Sequence, residues 1–399
     1  MTVRKTIGVL LALGALLGAA IAPAKAADPV QSDNLKHIAN FAYDGGGELA
    51  AQGRYVYASE ANPEGGGQRG SKPDDGGLHI YDAKTMKEIS FLHCAGTDND
   101  VEVIKPGFVA MTFTQNMCAP QAGEGLMIVD VRDPKKPRVI SALNTAAGHT
   151  LKPFPGGKYL YMAGGNLTGS ADRAGTTIVD VRDVYKPKLV TTSRDVMDCH
   201  DVSFSVTEED RQLGFCAGAV GTGEVQIWDV KDPLKPTIIS RIVNPAIQYS
   251  HYAIANDDGT LLAIDDEAFA AHDCNTGQSP SGRVWIYDIT DPKLPMPQGS
   301  FAPPRGGNPT YANIGNYEGW VGSWCLSHGL DFHPTKDAVA VTWFTGGVSV
   351  IDLTDPTAPK EAAYWQAEDS AAYSTLWWGG YLWTNDHMRG TDSFKIKGY

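Results

Sequence analysis

Three features of the 399-residue sequence predict an all-β fold built as a ring of seven units. Six short apolar stretches end in aspartate at similar intervals. A histidine recurs thirteen residues before a matching apolar position in three units. The final unit lacks a last strand, which the N-terminal region can supply.

The aspartate-ending stretches come first. They are "GLHIYD" to Asp82, "GLMIVD" to Asp130, "GTTIVD" to Asp180, "EVQIWD" to Asp229, "RVWIYD" to Asp288 and "GVSVID" to Asp352. Apolar residues alternate through them, the pattern of a half-buried β-strand. Five continue into a shared turn: "VRDPKKP", "VRDVYKP", "VKDPLKP", "ITDPKLP" and "LTDPTAP". Asp-Pro starts a turn because proline fixes φ, and the second proline excludes a helix. Another strand follows each turn, as in "RVISAL" and "TIISRI".

Upstream of each aspartate-ending strand lies a hairpin. "HTLKPFPGGKYLYMAGG", "HYAIANDDGTLLAIDDE" and "HGLDFHPTKDAVAVTWF" align without gaps, with His149 to Met162, His251 to Ile264 and His328 to Val341 each thirteen apart. Each unit is therefore four antiparallel strands, a to d. Heads of strand a fall near Gly47, Asp100, His149, His200, His251, His328 and Ser374, at intervals of 53, 49, 51, 51, 77 and 46. Four-stranded units repeated radially make a seven-bladed β-propeller. The last unit has only "STLWW", "YLWTN" and "SFKIK"; "LKHIANF", residues 35–41, would complete it and leave no open edge.

These strands and turns carry the "(G)LxIVDVxDPxxP" signature, and over about residues 35–396 the chain resembles the LVIVD-repeat proteins. Unit one ("IYDAKTMKEIS", without either proline) and unit seven (without the aspartate) depart from it, which puts the local turn shape in question. The resemblance implies an exported or surface propeller and no particular activity.

The start of the chain reads as a secretory signal peptide over 1–26: Arg4 and Lys5, a small-and-apolar run, then Ala24-Lys25-Ala26. The expected organisation is this leader and one propeller domain over 27–399, secreted or periplasmic, with no membrane span after cleavage. Loss of the leader carries the formal charge from −13 to −16. So acidic a chain repels nucleic acid and favours cations or neutral ligands. Six cysteines in an oxidising compartment suggest disulfides. The locally sensible pairs are Cys94–Cys118, Cys199–Cys216 and Cys274–Cys325, among fifteen possible pairings.

Strand a of a propeller lines the central channel, so His149, His200, His251 and His328 should form an arc around its mouth. Imidazole suits Zn, Cu and Fe, and the quartet is read as a site for such a divalent metal. The competing reading is a repeat-consensus histidine that satisfies loops of its own blade. Asp100 and Ser374 are assigned the same strand-head position in the adjoining blades. Asp201 and Glu267 are assigned proton transfer, and Asp201 could alternatively orient a ring. The run "AIDDEAFAAHDC" (Asp265, Asp266, Glu267, His272, Asp273) reads as a solvated acidic loop or as catalytic carboxylates. Asp100, Tyr311, Tyr317, Trp320 and Trp324 are candidates for contacting a small molecule or glycan. No GxSxG elbow, P-loop or helix-preceding GxGxxG occurs. Two functions fit: a metal-dependent enzyme, oxidoreductase before hydrolase or lyase, or a non-catalytic module binding a protein or glycan.

Overall fold

The computed structural model describes residues 28–61, 76–94, 97–113, 118, 125–145, 149–163, 176–193, 196, 199–206, 211–218, 223–267, 282–305 and 325–399. Among them are seven antiparallel sheets and no helix. Blade 1 comprises Gly46–Gln52, Tyr55–Glu60, Gly77–Asp82 and Lys87–His93 as strands a to d. Blades 2 to 6 repeat this order, and each is a complete four-stranded meander. The expected seven-bladed propeller is the observed fold.

Closure of the ring follows the sequence expectation and extends it. Leu35–Phe41 is the outer strand of blade 7, pairing Leu35 with Ile396 and Phe41 with Thr391. Just before it, Val30–Gln31 adds a fifth strand to blade 6 against Gln366 and Trp365. The N-terminal segment therefore straddles two blades. The Asn34 side-chain amide donates to the Ala362 carbonyl at 3.0 Å between the two strands.

The aspartate signature is explained by its hydrogen bonds. Asp130, Asp180, Asp229, Asp288 and Asp352 each accept the backbone N–H two residues on, at 2.8–3.2 Å. The second aspartate of the turn does the same: Asp133 accepts from Lys135, Asp232 from Leu234 and Asp291 from Lys293. Two successive Asx turns thus fix each c–d connection. Blade 1, which lacks the prolines, keeps the first Asx turn, with Asp82 accepting the Lys84 N–H at 2.9 Å, but then closes through Met86 N–H to the Asp82 carbonyl at 2.8 Å, with Met86 at φ 51°. The turn shape differs there as the sequence suggested, and the fold does not.

The aspartate-ending strands differ from the expected half-burial. Gly77–Asp82 and Gly125–Asp130 are buried throughout. Radial blades cover both faces of their middle strands, so the core is divided among the spaces between neighbours. One such cluster joins Tyr57, Leu78 and Ile80 of blade 1 to Val101, Met111 and Met127 of blade 2; another joins blade 7 to blade 1 through Val56, Tyr81 and Trp383. Strand d bulges in all seven blades. Beside three of these bulges a serine latches onto the next blade: Ser90 to the Pro134 carbonyl, Ser141 to that of Val184 and Ser240 to that of Pro292, each at 2.6 Å.

Candidate metal centre

Strand pairing fixes which residue of each blade occupies the channel-mouth position. In blade 3 Leu151 faces Met162, which in turn faces Thr177, three residues before Asp180. Applying that register to every blade aligns Gly47, Asn99, His149, His200, His251, His328 and Tyr373. Asp100 and Ser374 therefore sit one residue farther along than the sequence alignment assigned. Strand a carries register irregularities in blades 1, 2, 5 and 7, which counting along the chain does not reveal. Asp100 lies level with Glu48 and Asp201.

The histidines do converge. Ring centroids step from His149 to His200 at 4.9 Å, to His251 at 4.2 Å, to His328 at 4.0 Å, to Tyr373 at 3.8 Å and on to His387 at 4.2 Å. His387 comes from the b–c turn of blade 7, which the repeat pattern does not mark. Beside it the chain carries Gly46, where a Cβ would come within 2.5 Å of the Asp386 carbonyl oxygen. His200, His251, His328 and His387 are buried, and His149 is half-buried. Phe344, held at φ 46°, packs edge-on to His328 at 5.0 Å, and Tyr249 packs edge-on to His200 at 5.3 Å.

Hydrogen bonds orient these rings. His200 Nδ1 lies 3.2 Å from the His251 carbonyl oxygen, and His328 Nδ1 lies 3.0 Å from that of Tyr373. Each ring is thereby pinned to the following blade, not to its own. His251 Nδ1 lies 3.2 Å from Asp265 Oδ2, whose other oxygen accepts the Tyr252 N–H. With Nδ1 protonated as donor, Nε2 is left as a lone-pair donor to a cation. His251 Nε2 lies 3.8 Å from one Glu267 oxygen and His328 Nε2 3.9 Å from the other. His200, His251 and Glu267 offer ligand atoms all within 4.8 Å of one another. Ligands held about 2.1 Å from one ion lie roughly 3–4 Å apart, so a small inward movement would complete coordination.

The electrostatics suit a cation. Burial, then His251 and His149, hold His200 well below the ordinary imidazole pKa; burial alone brings His387 to about 4. Burial brings His251 to about 4, and burial with the neighbouring imidazoles holds His328 well down. Burial pushes Glu267 up to about 7. Neutral imidazoles and a desolvated carboxylate form a nitrogen-and-oxygen donor set that fits zinc, copper or iron.

Other sequence assignments fall differently. Asp265, Asp266 and Glu267 are buried, so the described start of this run is not solvated. Asp266 accepts the Gln248, Tyr249 and Gly282 N–H groups and braces the loop base. Asp265, not Asp201, is the carboxylate that orients a histidine. Asp201 accepts the Val202 N–H and is pushed up to about 8 by burial and by Glu48 and Glu102, against Lys152. Asp100 accepts the Leu151 N–H, and Lys152 pairs with Glu102, so these groups form a second band along the channel. Cys94–Cys118 and Cys199–Cys216 are disulfides, the latter beside His200. Cys325 is also disulfide-bonded, while Cys274 lies outside the described residues, as do residues 1–26, His272, Asp273, Tyr311, Tyr317, Trp320 and Trp324.

No protein-family model matches the chain, and no curated protein matches it. Among the described residues no helix is long and apolar enough to cross a membrane.

Proposed function

We propose that the protein is an exported metal-dependent enzyme whose metal is held at the channel mouth by His200, His251 and Glu267, with His328 and His149 adjacent. The observation that carries this reading is the convergence of imidazole Nε2 atoms from different blades on one buried carboxylate. Glu267 is better suited to holding the ion than to the proton transfer first assigned to it. Copper or iron would supply redox chemistry, and zinc would polarise a substrate oxygen or activate water. The protein's own part is to hold neutral rings in one tautomer through backbone carbonyls and Asp265. Half-buried His149 marks the side from which a small molecule would approach. Two disulfides and the leader-like N-terminus support an extracytoplasmic location.

A second reading has an observation of its own. Nδ1 of His200 and of His328 is bonded to the next blade's backbone, as purely structural stitching between blades would require. The protein would then be a binding module. Metal analysis of tag-free protein separates the two. Stoichiometric copper, iron or zinc that is lost in His200→Ala/His251→Ala supports the metal centre. Metal-free protein in which the double variant folds normally supports the module. Oxygen-consumption and ester-hydrolysis assays on the loaded protein then distinguish oxidoreductase from hydrolase.

A further inference from the structure

The opposite end of the ring carries a feature that the metal centre does not use. Between the a–b turns of blades 1, 6 and 7 lies a cavity of about 350 Å³. Its wall holds Trp377, Trp378, Tyr381, Tyr399 and His333. Trp377 and Tyr399 are nearly parallel, 23° apart with centroids at 6.5 Å. His333 stands across both, at 68° to Trp377 and 71° to Tyr399. Three rings thus form a corner. The blade 7 turn passes through Gly380 at φ 80°, where nothing lies within 4 Å of an added Cβ, so this part of the wall stays open.

Among the described residues the wall contains no Asp, Glu, Lys or Arg side chain. His333 Nδ1 accepts the Thr335 N–H at 3.2 Å, so the neutral ring carries its proton on Nε2 and remains a donor there. Burial and Lys336 both lower its basicity, which keeps it neutral. The Trp378 indole N–H is engaged by the Gly53 carbonyl at 3.1 Å, which fixes that ring without using its faces. A charged ligand would find no charged side chain in this wall to pair with. A purely hydrocarbon ligand would leave the imidazole and phenol groups unpaired, at a desolvation cost. A ring with a face of C–H bonds and a rim of hydroxyls uses both: its C–H hydrogens meet the electron-rich aromatic faces while its hydroxyls reach the polar tips. The volume is at the small end of ligand sites, about the room needed by one or two such rings.

We infer that this cavity is a binding site for a neutral pyranose, independent of the histidine site on the other face. The test is a tryptophan-fluorescence titration of the full protein with methyl β-glucopyranoside, cellobiose and diacetylchitobiose, and with choline and toluenesulfonate as charged comparators. Saturable binding of at least one pyranoside is expected, weakened about tenfold or more in both Trp378→Ala and His333→Ala. His333 lies on a different blade from Trp378, so it carries the test if Trp378→Ala does not fold. The proposal is overturned if no pyranoside saturates the signal by about 100 mM. It is equally overturned if choline or toluenesulfonate binds more tightly than every sugar, or if both variants bind as the parent does.

Discussion

Buried histidine appears in this protein in two opposite electrical states. At the channel mouth, His200 and His328 are surrounded by backbone carbonyls and other imidazoles, and they are held neutral. In blade 1, His79 is just as buried, yet its Nε2 lies 2.9 Å from Glu60 and its Nδ1 2.8 Å from Glu88. It is sandwiched between Tyr43 at 4.0 Å and Phe91 at 4.3 Å. A neutral imidazole has one N–H and satisfies only one of two carboxylates, so both bonds call for the imidazolium. Burial by itself works against that charge; Glu60 and Glu88 outweigh it and raise the His79 pKa. Burial alone therefore does not decide a histidine's charge. The charge carried by its partners decides it.

The contrast can be broken most severely at the channel mouth. His200→Ala/His251→Ala removes two of three converging ligands, and metal content after dialysis against chelator should fall to background while the circular dichroism of the β-structure persists.

The next largest effect is expected at His79. Its replacement by Gln strands two glutamates around an uncharged group and should destabilise the fold by about 3–5 kcal/mol at pH 6, measured by urea denaturation. Because Tyr43, stacked on His79, also bonds Asn385 and Thr391 of blade 7, the loss should loosen ring closure first. Faster amide exchange in residues 35–45 would report it.

The two groups also predict pH dependences of opposite sign. His79 has a raised pKa, so its stabilisation is complete below the unfolded value of about 6.5 and is lost as pH rises through the folded value. His251 has a lowered pKa; in metal-free protein its contribution is present above about 6.5 and is lost as pH falls toward about 4. That difference amounts to roughly 3 kcal/mol at most. Unfolding free energy measured from pH 4 to 9 should fall on both flanks, with the raised carboxylates Glu267 and Asp201 adding to the alkaline fall, and His79→Gln should lessen only the alkaline one. An unchanged alkaline flank in that variant would contradict the charged-clamp account.

Smaller effects sharpen the picture. Asp265→Asn leaves every ligand in place but weakens the orientation of His251, and should cost about 10–100-fold in metal affinity by competition with a chelating dye. Ser141→Ala, which removes one inter-blade latch, should cost only about 1 kcal/mol and leave metal binding unchanged.

Blade order was legible in the sequence because the Asx turns are local. Asp130 and Asp133 bond backbone groups only two residues away, so their signature survives as a short motif. The channel-mouth histidines were legible for a similar reason, since each heads a strand of the repeat and His149, His251 and His328 stand thirteen residues before a matching apolar position. Tyr373 and His387 were not. Tyr373 holds the position with a residue type that the histidine pattern does not mark, and His387 enters from a turn that the repeat does not share. Asp265 looked like one member of an acidic run, and only the fold shows its oxygens turned onto His251 and Tyr252.

The sequence by itself determined the number of blades, their strand order and the use of residues 35–41 to close the ring. These follow from period-two strands and turn chemistry within each repeat, which act over a few residues. Tertiary structure alone decided which side chains share a space and what charge they carry. Neighbouring blades bring together residues some fifty positions apart, and the pairing register, which counting along one strand does not fix, decides which ring of the channel a side chain joins.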